Sequence, residues 1–238
     1  MSKKYLMVIA NYPDERQDFF EKYMSPRNKE YSRMHNYEYL EYKEDLKLFR
    51  DNPTWWKFTV VRDLINSGVL KENDTISHLD ADMCIVKPEY EFSTNKSFTY
   101  VIDSGNTHCM GCYSMKINEW SKNAIDMILN DDRYNKLLNK KSEHEHFPNA
   151  PTFWEQFREQ ASWYSLAGIK RHSDVPFWEL KDFGWHSSKD EDTYYSVDDL
   201  YKNVEILPTK WNVTELRGES HMLFNINEIN YKDVIIRH

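Results

Sequence analysis

The order of apolar and polar residues along the chain predicts strands that alternate with helices. Residues 5–10 are apolar enough for a buried strand, and residues 75–86 form a second apolar run that Asp-Ala-Asp interrupts. Between them, residues 55–67 repeat apolar side chains at the spacing of a helix, which Gly68 ends. Strands joined by helices are typical of a parallel sheet with right-handed crossovers.

Weaker patterns add further elements. We predict additional strands at residues 37–42, 98–103, 110–115 and 204–207, and additional helices at residues 14–24, 26–35, 120–129 and 152–166. No internal repeat or linker-like stretch divides the chain. We therefore expect an α/β protein with a mixed, mostly parallel sheet flanked by helices, in a single domain that spans residues 1–238.

Composition excludes several classes of protein. The 238 residues are 40% hydrophobic, which is enough for a sizeable core, and the net charge of −8 argues against a nucleic-acid partner. No apolar stretch approaches the roughly 18 residues of a membrane span, so we expect no transmembrane segment. The first apolar run is too short for a signal peptide, and three cysteines make no disulfide framework. We expect a soluble, cytoplasmic protein.

The Asp-Ala-Asp sequence is the strongest chemical signal. On an extended chain, Asp80 and Asp82 point to the same side, and their carboxylates repel each other unless a cation lies between them. Mg²⁺ and Mn²⁺ accept such oxygen ligands and leave positions for water and substrate phosphates. The alternative is a strand end with two solvated aspartates.

Two residues after the first strand could contact a nucleotide. Ligands of open α/β sheets bind at the carboxyl ends of the strands, which is where Asn11 and Tyr12 are predicted to lie. The alternative is a simple loop.

The order of these motifs resembles that of the GT-A-fold glycosyltransferases. The most similar pattern is that of the Golgi α-galactosyl-, α-mannosyl- and xyloglucan xylosyltransferase family, and the resemblance covers about residues 28–221. Cys109 and Met110 stand where that family has Asn-Thr. The segments that carry the resemblance are residues 28–38, Pro53-Thr54-Trp55-Trp56-Lys57, His78-Leu79-Asp80-Ala81-Asp82, residues 110–121, Glu159-Gln160-Ala161-Ser162 and Arg217-Gly218-Glu219-Ser220-His221.

The resemblance implies a Rossmann-like GT-A fold and a specific reaction. A sugar would pass, with retention of configuration, from a nucleotide-diphosphate sugar to a hydroxyl of a glycan or glycoconjugate, with UDP favoured over GDP in the donor. Residues 1–105 would form the nucleotide-binding half, and residues 106–238 the half for the donor sugar and the acceptor. The resemblance also implies a Mn²⁺ or Mg²⁺ cofactor with the ligands Asp82 and His221, and with Asp80 as a further ligand or as a contact of the ribose.

The remaining site residues follow from the same resemblance. Glu159 would stabilise an oxocarbenium-like transition state, and Gln160 would hydrogen-bond the donor, although both could instead lie on the polar face of a helix. Glu155, four residues earlier on that face, is the substitute. Lys57 would contact the diphosphate of a nucleotide bound by Asn11, Tyr12, Asp80 and Asp82, or would pair with core carboxylates. An inverting enzyme would need a general base, for which Asp103 and Asp174 are candidates.

Other functions remain open from the sequence. A nucleotidyltransferase or phosphoryl-transfer enzyme also places aspartates around Mg²⁺, but the chain lacks a Gly-rich phosphate loop. A non-catalytic carbohydrate-binding protein could use an aromatic platform. Cys109-x-x-Cys112 could bind zinc or act as a redox pair, but a buried or donor-lining stretch is favoured. His144-Glu145-His146 could bind a metal, but a solvated loop is favoured. The residues that could form the aromatic platform of a carbohydrate-binding protein are Trp178, Trp185, Tyr194, Tyr195 and Trp211.

Overall fold

A six-stranded mixed sheet organises the chain. The computed structural model describes residues 2–12, 15–43, 53–102, 108–130, 132, 153–168, 194–207, 211 and 236–237. The strands of the large sheet are β1 (Lys4–Ile9), β2 (Tyr37–Tyr42), β3 (Thr75–Asp80), β5 (Phe98–Ile102), β6 (His108–Lys116) and β7 (Val204–Leu207). A small second sheet pairs β4 (Cys84–Ile85) with β8 (Ile236–Arg237), and neither of these strands was expected.

The strand order in the large sheet is β2-β1-β3-β6-β5-β7. Strand β6 runs antiparallel to both of its neighbours, and every other neighbouring pair is parallel. The predicted fold class, a mixed and mostly parallel sheet flanked by helices, is confirmed. Strands from both predicted halves lie in this one sheet, but the assignment of residues 1–105 and 106–238 to different tasks stays a prediction.

The helices agree with the predicted ones except at three places. They are α1 (Glu15–Phe19), a π-helical segment (Phe20–Met24), α2 (Ser25–Met34), α3 (Pro53–Asn66), α4 (Glu119–Ile128), α5 (Phe153–Ala167) and α6 (Val197–Asn203). The two helices predicted before β2 are joined through the π-helical segment, and the Ser25 N–H at the junction donates a hydrogen bond to the Phe20 carbonyl oxygen. Helix α5 is kinked. Helix α6 was not predicted, and Ser196 caps it by accepting a hydrogen bond from the Asp199 N–H.

The core lies on both faces of the sheet. On one face, α3, α4 and α5 contact one another and pack on the strands through the buried side chains of Trp55, Phe58 and Trp163. On the other face, α2 and the π-helical segment cover β1 through Phe20 and Tyr31. Of the helices that the structure describes, none has the length and apolar character required to cross a membrane.

The start of α4 offers a test of local stability. The Asn118 side chain accepts a hydrogen bond from the Ser121 N–H, and the Ser121 hydroxyl accepts one from the Asn118 N–H, each at 2.9 Å. We expect Asn118→Ala to lower the free energy of unfolding by about 1 kcal/mol in urea denaturation. Asn118→Asp keeps the acceptor for Ser121 and loses only the hydrogen bond that Asn118 Nδ2 donates to Ser97 Oγ, so it is expected to lose less. Equal losses in the two variants would contradict a capping role.

Candidate active site at the carboxyl end of β3

The carboxyl ends of β1 and β3 meet at one edge of the sheet. The two strands are parallel neighbours, and Ile9 pairs with Asp80, the last residue of β3. Asn11 and Tyr12 follow β1 and are partly exposed at this edge. The Arg16 guanidinium lies 5.0 Å from the centre of the Tyr12 ring. Asn11 and Tyr12 therefore lie at the edge of the sheet where open α/β folds bind ligands.

The Asp-Ala-Asp segment is a turn and not a continuous strand. Strand β3 ends at Asp80, and the Met83 N–H donates a 3.0 Å hydrogen bond to the Asp80 carbonyl oxygen. The expectation that an extended chain presents both carboxylates on the same side is therefore wrong, because the turn ends the alternation of the strand. Asp80 points toward buried groups with 35% of its side chain exposed, whereas Asp82 is exposed.

Lys57 joins the segments of the site. Helix α3 carries it into the protein, where only 5% of its side chain is exposed. Its Nζ lies 3.0 Å from Asp80 Oδ1 and 3.4 Å from Glu159 Oε1, and it donates a 3.2 Å hydrogen bond to the Met110 carbonyl oxygen. A buried ammonium group requires such partners. The structure thus has Lys57 pairing with core carboxylates, while its contact with a diphosphate stays a prediction.

The charges in this cluster shift one another's pKa values. Burial alone would lower the pKa of Lys57, but Asp80 and Glu159 hold it above its ordinary value. Burial would raise the pKa of Asp80, but Lys57 and His78 hold it well below its usual range. For Glu159, burial raises the pKa, and the attraction of Lys57 offsets this only in part. Glu159 is therefore the carboxyl group of the cluster that most readily takes up a proton.

An irregularity in β6 brings the protein backbone into the site. Tyr113 of β6 lies opposite Tyr100 of β5, and Cys109 lies opposite the next residue of β5, Val101. The three residues of β6 between them, 110–112, have no counterpart on β5 and form a bulge. Within this bulge, the Met110 N–H donates to Gln160 Oε1 at 3.2 Å. Gly111 lies so close to Asp80 that a Cβ atom on it would be 2.6 Å from Asp80 Oδ2. The bulge therefore contacts Lys57, Asp80 and Gln160.

Glu159 and Gln160 follow a kink in α5. Arg158 has φ 42° and ψ −109°, a strained conformation for a residue with a side chain. The expectation that Glu155 and Glu159 share a helix face is wrong, because it requires an unbroken helix between them. The side chain of Glu155 lies outside the described residues. The kink starts a new helical segment at Glu159, whose carboxylate is 7% exposed.

Sequence reasoning missed His78. Its Nε2 lies 2.9 Å from Asp80 Oδ1, and the ring is buried 5.3 Å from the ring of Tyr113, measured between centroids. Burial lowers the pKa of His78, although Asp80 opposes the shift. The sequence indicates this contact, because His78 and Asp80 are two residues apart on a strand and their side chains therefore lie on the same face.

The carboxylates fit a divalent cation only in part. Asp80 Oδ1 already lies close to Lys57 and His78, which leaves Oδ2 and the exposed carboxylate of Asp82 as oxygen ligands. Within the described ranges, no three His, Cys, Asp or Glu residues are grouped so that they could hold a metal ion. Mg²⁺ sites with one or two carboxylates are completed by water and substrate phosphates, so these two residues suit a cation that arrives with a nucleotide. His221 lies outside the described residues.

Several other candidates do not join this site. Tyr195 is buried and donates a hydrogen bond to Asn123, so it forms no exposed platform. Trp211 is partly exposed and packs on Phe92, and Tyr194 is exposed and packs edge-on against Tyr195, so a contact of these two with a sugar stays a prediction. Cys109 and Cys112 are not joined in a disulfide, and Cys109 Sγ accepts a hydrogen bond from the Gly111 N–H at 3.3 Å. Asp103, Asp174, Trp178, Trp185 and the segment His144-Glu145-His146 lie outside the described residues.

Comparison with known proteins yields matches to solved structures and none in sequence. No protein-family model matches the chain, and no curated protein matches it in sequence. A similar solved structure is the crystal structure of a glycosyltransferase involved in the glycosylation of the major capsid of PBCV-1. The match has 10% sequence identity and a TM-score of 0.49, and it covers 98% of this chain and 92% of that chain. At this level of similarity, the activity of that protein does not carry over to this chain.

Proposed function

We propose that this chain is a metal-dependent glycosyltransferase. It transfers a sugar from a nucleotide-diphosphate sugar, with UDP favoured over GDP, to a hydroxyl group of a glycan or glycoconjugate. The observation that carries the proposal is the convergence of four separate segments on the carboxyl end of β3. Lys57, Asp80, the Met110–Gly111 bulge and Glu159–Gln160 come from the segments whose order resembles the glycosyltransferase family, and their side chains or backbone groups contact one another.

The acidic residues and the edge of the sheet form the donor site in this proposal. Asp82 and Asp80 Oδ2 would hold Mn²⁺ or Mg²⁺, with His221 as the proposed third ligand. When bound there, the cation would supply positive charge against the diphosphate of the donor. Asn11 and Tyr12 lie beside Asp80 at the end of β1 and contact the nucleotide. Lys57 keeps Asp80 ionised, and so preserves its negative charge for the donor site.

Glu159 and Gln160 act on the sugar. The bond from the sugar to the diphosphate breaks with its electron pair on the phosphate oxygen. The acceptor oxygen forms the new bond at the same carbon, and the proton of the acceptor hydroxyl passes to the departing diphosphate. The Glu159 carboxylate stabilises the positive charge that develops on the sugar. Gln160 accepts a hydrogen bond from the Met110 N–H, which orients its NH₂ group as a donor. The configuration is retained, as the family resemblance implies.

Nucleotide binding tests this proposal. We expect wild-type protein to bind UDP or GDP in isothermal titration with Mn²⁺ and to bind the same nucleotide at least about tenfold more weakly without it, which corresponds to about 1.4 kcal/mol. Asp82→Ala should remove the metal dependence, because it removes an exposed ligand from the turn. Asp126→Ala, which changes an exposed aspartate on α4, is the matched control and should bind as the wild type does.

The other functions predict different results. Release of a nucleoside diphosphate from a nucleotide sugar supports sugar transfer, whereas release of pyrophosphate from a nucleoside triphosphate supports a nucleotidyltransferase. Carbohydrate binding without nucleotide binding supports a binding protein. The absence of nucleotide binding with either metal would overturn the proposal and leave Asp80 and Asp82 as part of an ordinary turn.

A further inference from the structure

We propose that His78 and Gly111 are positioning residues for Asp80. Together they hold its carboxylate with Oδ1 turned into the protein and Oδ2 left for the ligand. This inference rests on the proposed function, in which Asp80 belongs to the donor site. In this inference, a buried histidine and a glycine hold the Asp80 carboxylate in place, and neither of them binds substrate or takes part in the reaction.

His78 fixes the direction of the carboxylate. Because a carboxylate only accepts hydrogen bonds, the proton between the two groups lies on Nε2 of His78, which donates to Asp80 Oδ1 at 2.9 Å. The imidazole cannot swing away, since His78 is 1% exposed and lies in the middle of β3 with Met7 and Tyr113 on its two sides. A rigid ring in a packed sheet is a more precise donor than the long side chain of Lys57.

Lys57 and His78 both approach the same carboxylate oxygen. Lys57 Nζ lies 3.0 Å from Asp80 Oδ1 and is itself held by Glu159 and the Met110 carbonyl oxygen. Oδ2 accepts neither of these two hydrogen bonds, and the Asp80 side chain is 35% exposed. Oδ2 is therefore the carboxylate oxygen that these two donors leave for a ligand, and its direction depends on how Oδ1 is held.

Gly111 provides the space that Oδ2 occupies. A Cβ atom at this position would lie 2.6 Å from Asp80 Oδ2 and 2.8 Å from the terminal methyl carbon of Met83. The φ angle of Gly111 is not in the left-handed region, so the reason for a glycine here is space and not backbone conformation. The bulge cannot simply retreat, because neighbouring Met110 is hydrogen-bonded to both Lys57 and Gln160.

Substitutions at both positions test the inference. We expect His78→Leu and Gly111→Ala each to weaken metal-dependent nucleotide binding by about tenfold, while urea denaturation shows that the variants remain folded. His78→Gln is expected to restore most of the affinity, because its side-chain nitrogen lies about as far from the backbone as Nε2 of histidine. Ser77→Ala is the matched control, since Ser77 is buried next to His78 on β3 and contacts Ser114 and Phe92 instead of Asp80.

A structural readout separates this inference from the proposed function. In crystal structures without any ligand, His78→Leu and Gly111→Ala should show the Asp80 carboxylate rotated away from its wild-type position, while His78→Gln should not. An unmoved carboxylate in both variants would overturn the positioning roles even if the wild type binds nucleotide. If the wild type binds no nucleotide, the proposed function fails, and the crystal structures still decide whether these residues position Asp80. Equal loss of affinity in His78→Leu and His78→Gln would also count against the hydrogen bond.

Discussion

Replacement of Lys57 by methionine is expected to lower the free energy of unfolding by about 3 kcal/mol, measured by urea denaturation at pH 7. The change leaves the carboxylates of Asp80 and Glu159 close together without the ammonium group between them. Loss of one partner from a buried ion pair costs about 3–5 kcal/mol. The lower end applies here because Asp80 is one third exposed and Glu159 can take up a proton.

Two controls separate charge from packing in this variant. The double variant Lys57→Met/Glu159→Gln should be more stable than Lys57→Met alone, because it also removes the uncompensated charge of Glu159. Acidification from about pH 8 to pH 5.5 should stabilise Lys57→Met relative to the wild type. The sign follows from the raised pKa of Glu159: the folded state binds more protons than the unfolded state, so stability falls as pH rises. A Lys57→Met protein as stable as the wild type would mean that the buried ion pair contributes no net stability.

The wild type should respond to acid in the opposite direction through Asp80. Its pKa in the folded state lies well below its ordinary value, so at acidic pH the unfolded state binds more protons than the folded state. The stability that Asp80 contributes is present above the pKa of an unfolded aspartate and is lost as pH falls toward the folded value.

Replacement of Trp163 by alanine is expected to lower the free energy of unfolding by about 3–5 kcal/mol. Trp163 is fully buried in α5, with its ring edge-on to Phe98 at 5.0 Å and to Tyr100 at 5.8 Å. Alanine leaves a cavity between α5 and β5. Because Trp163 lies one helical turn after Glu159, the same cavity loosens the segment that carries the proposed catalytic pair.

A neighbouring tryptophan provides the comparison for Trp163. Trp120 belongs to the same aromatic cluster but is only partly buried. We expect Trp120→Ala to cost clearly less than Trp163→Ala in urea denaturation, because less apolar surface leaves the core. Similar losses at both positions would contradict the view that Trp163 is the anchor of α5.

Most elements around the site could be predicted because their signals are local. Helix α3 was expected at residues 55–67 and is found at Pro53–Asn66, since its apolar residues repeat with the helical period. The Asn118 cap and the start of α4 follow from a few neighbouring residues. The turn after Asp80 was missed because Ala81, Asp82 and Met83 include no glycine or proline to indicate it. The kink at Arg158 was missed for the same reason, because no glycine or proline next to it indicates a break in the helix.

The arrangement of the site could be predicted only in part. The family resemblance brought Lys57, Asp80 and Glu159 into one hypothesis, but no local pattern indicates that an ammonium group lies between the two carboxylates. That contact depends on the packing of α3 and α5 against the sheet. His78, in contrast, could have been found from strand periodicity alone, since it lies two residues before Asp80.

The position of β7 has a consequence for the synthesis of the chain. Strands β1, β2 and β3 can pair with one another soon after they leave the ribosome, but β7 pairs with β5 about 100 residues later in the chain. Until then, the outer edge of β5 has no strand beside it, and an unpaired edge can pair with another chain. A chain whose synthesis has passed Ile102 but has not reached Val204 therefore carries an open strand edge. We expect such an unfinished chain to depend on chaperones more than the completed protein does.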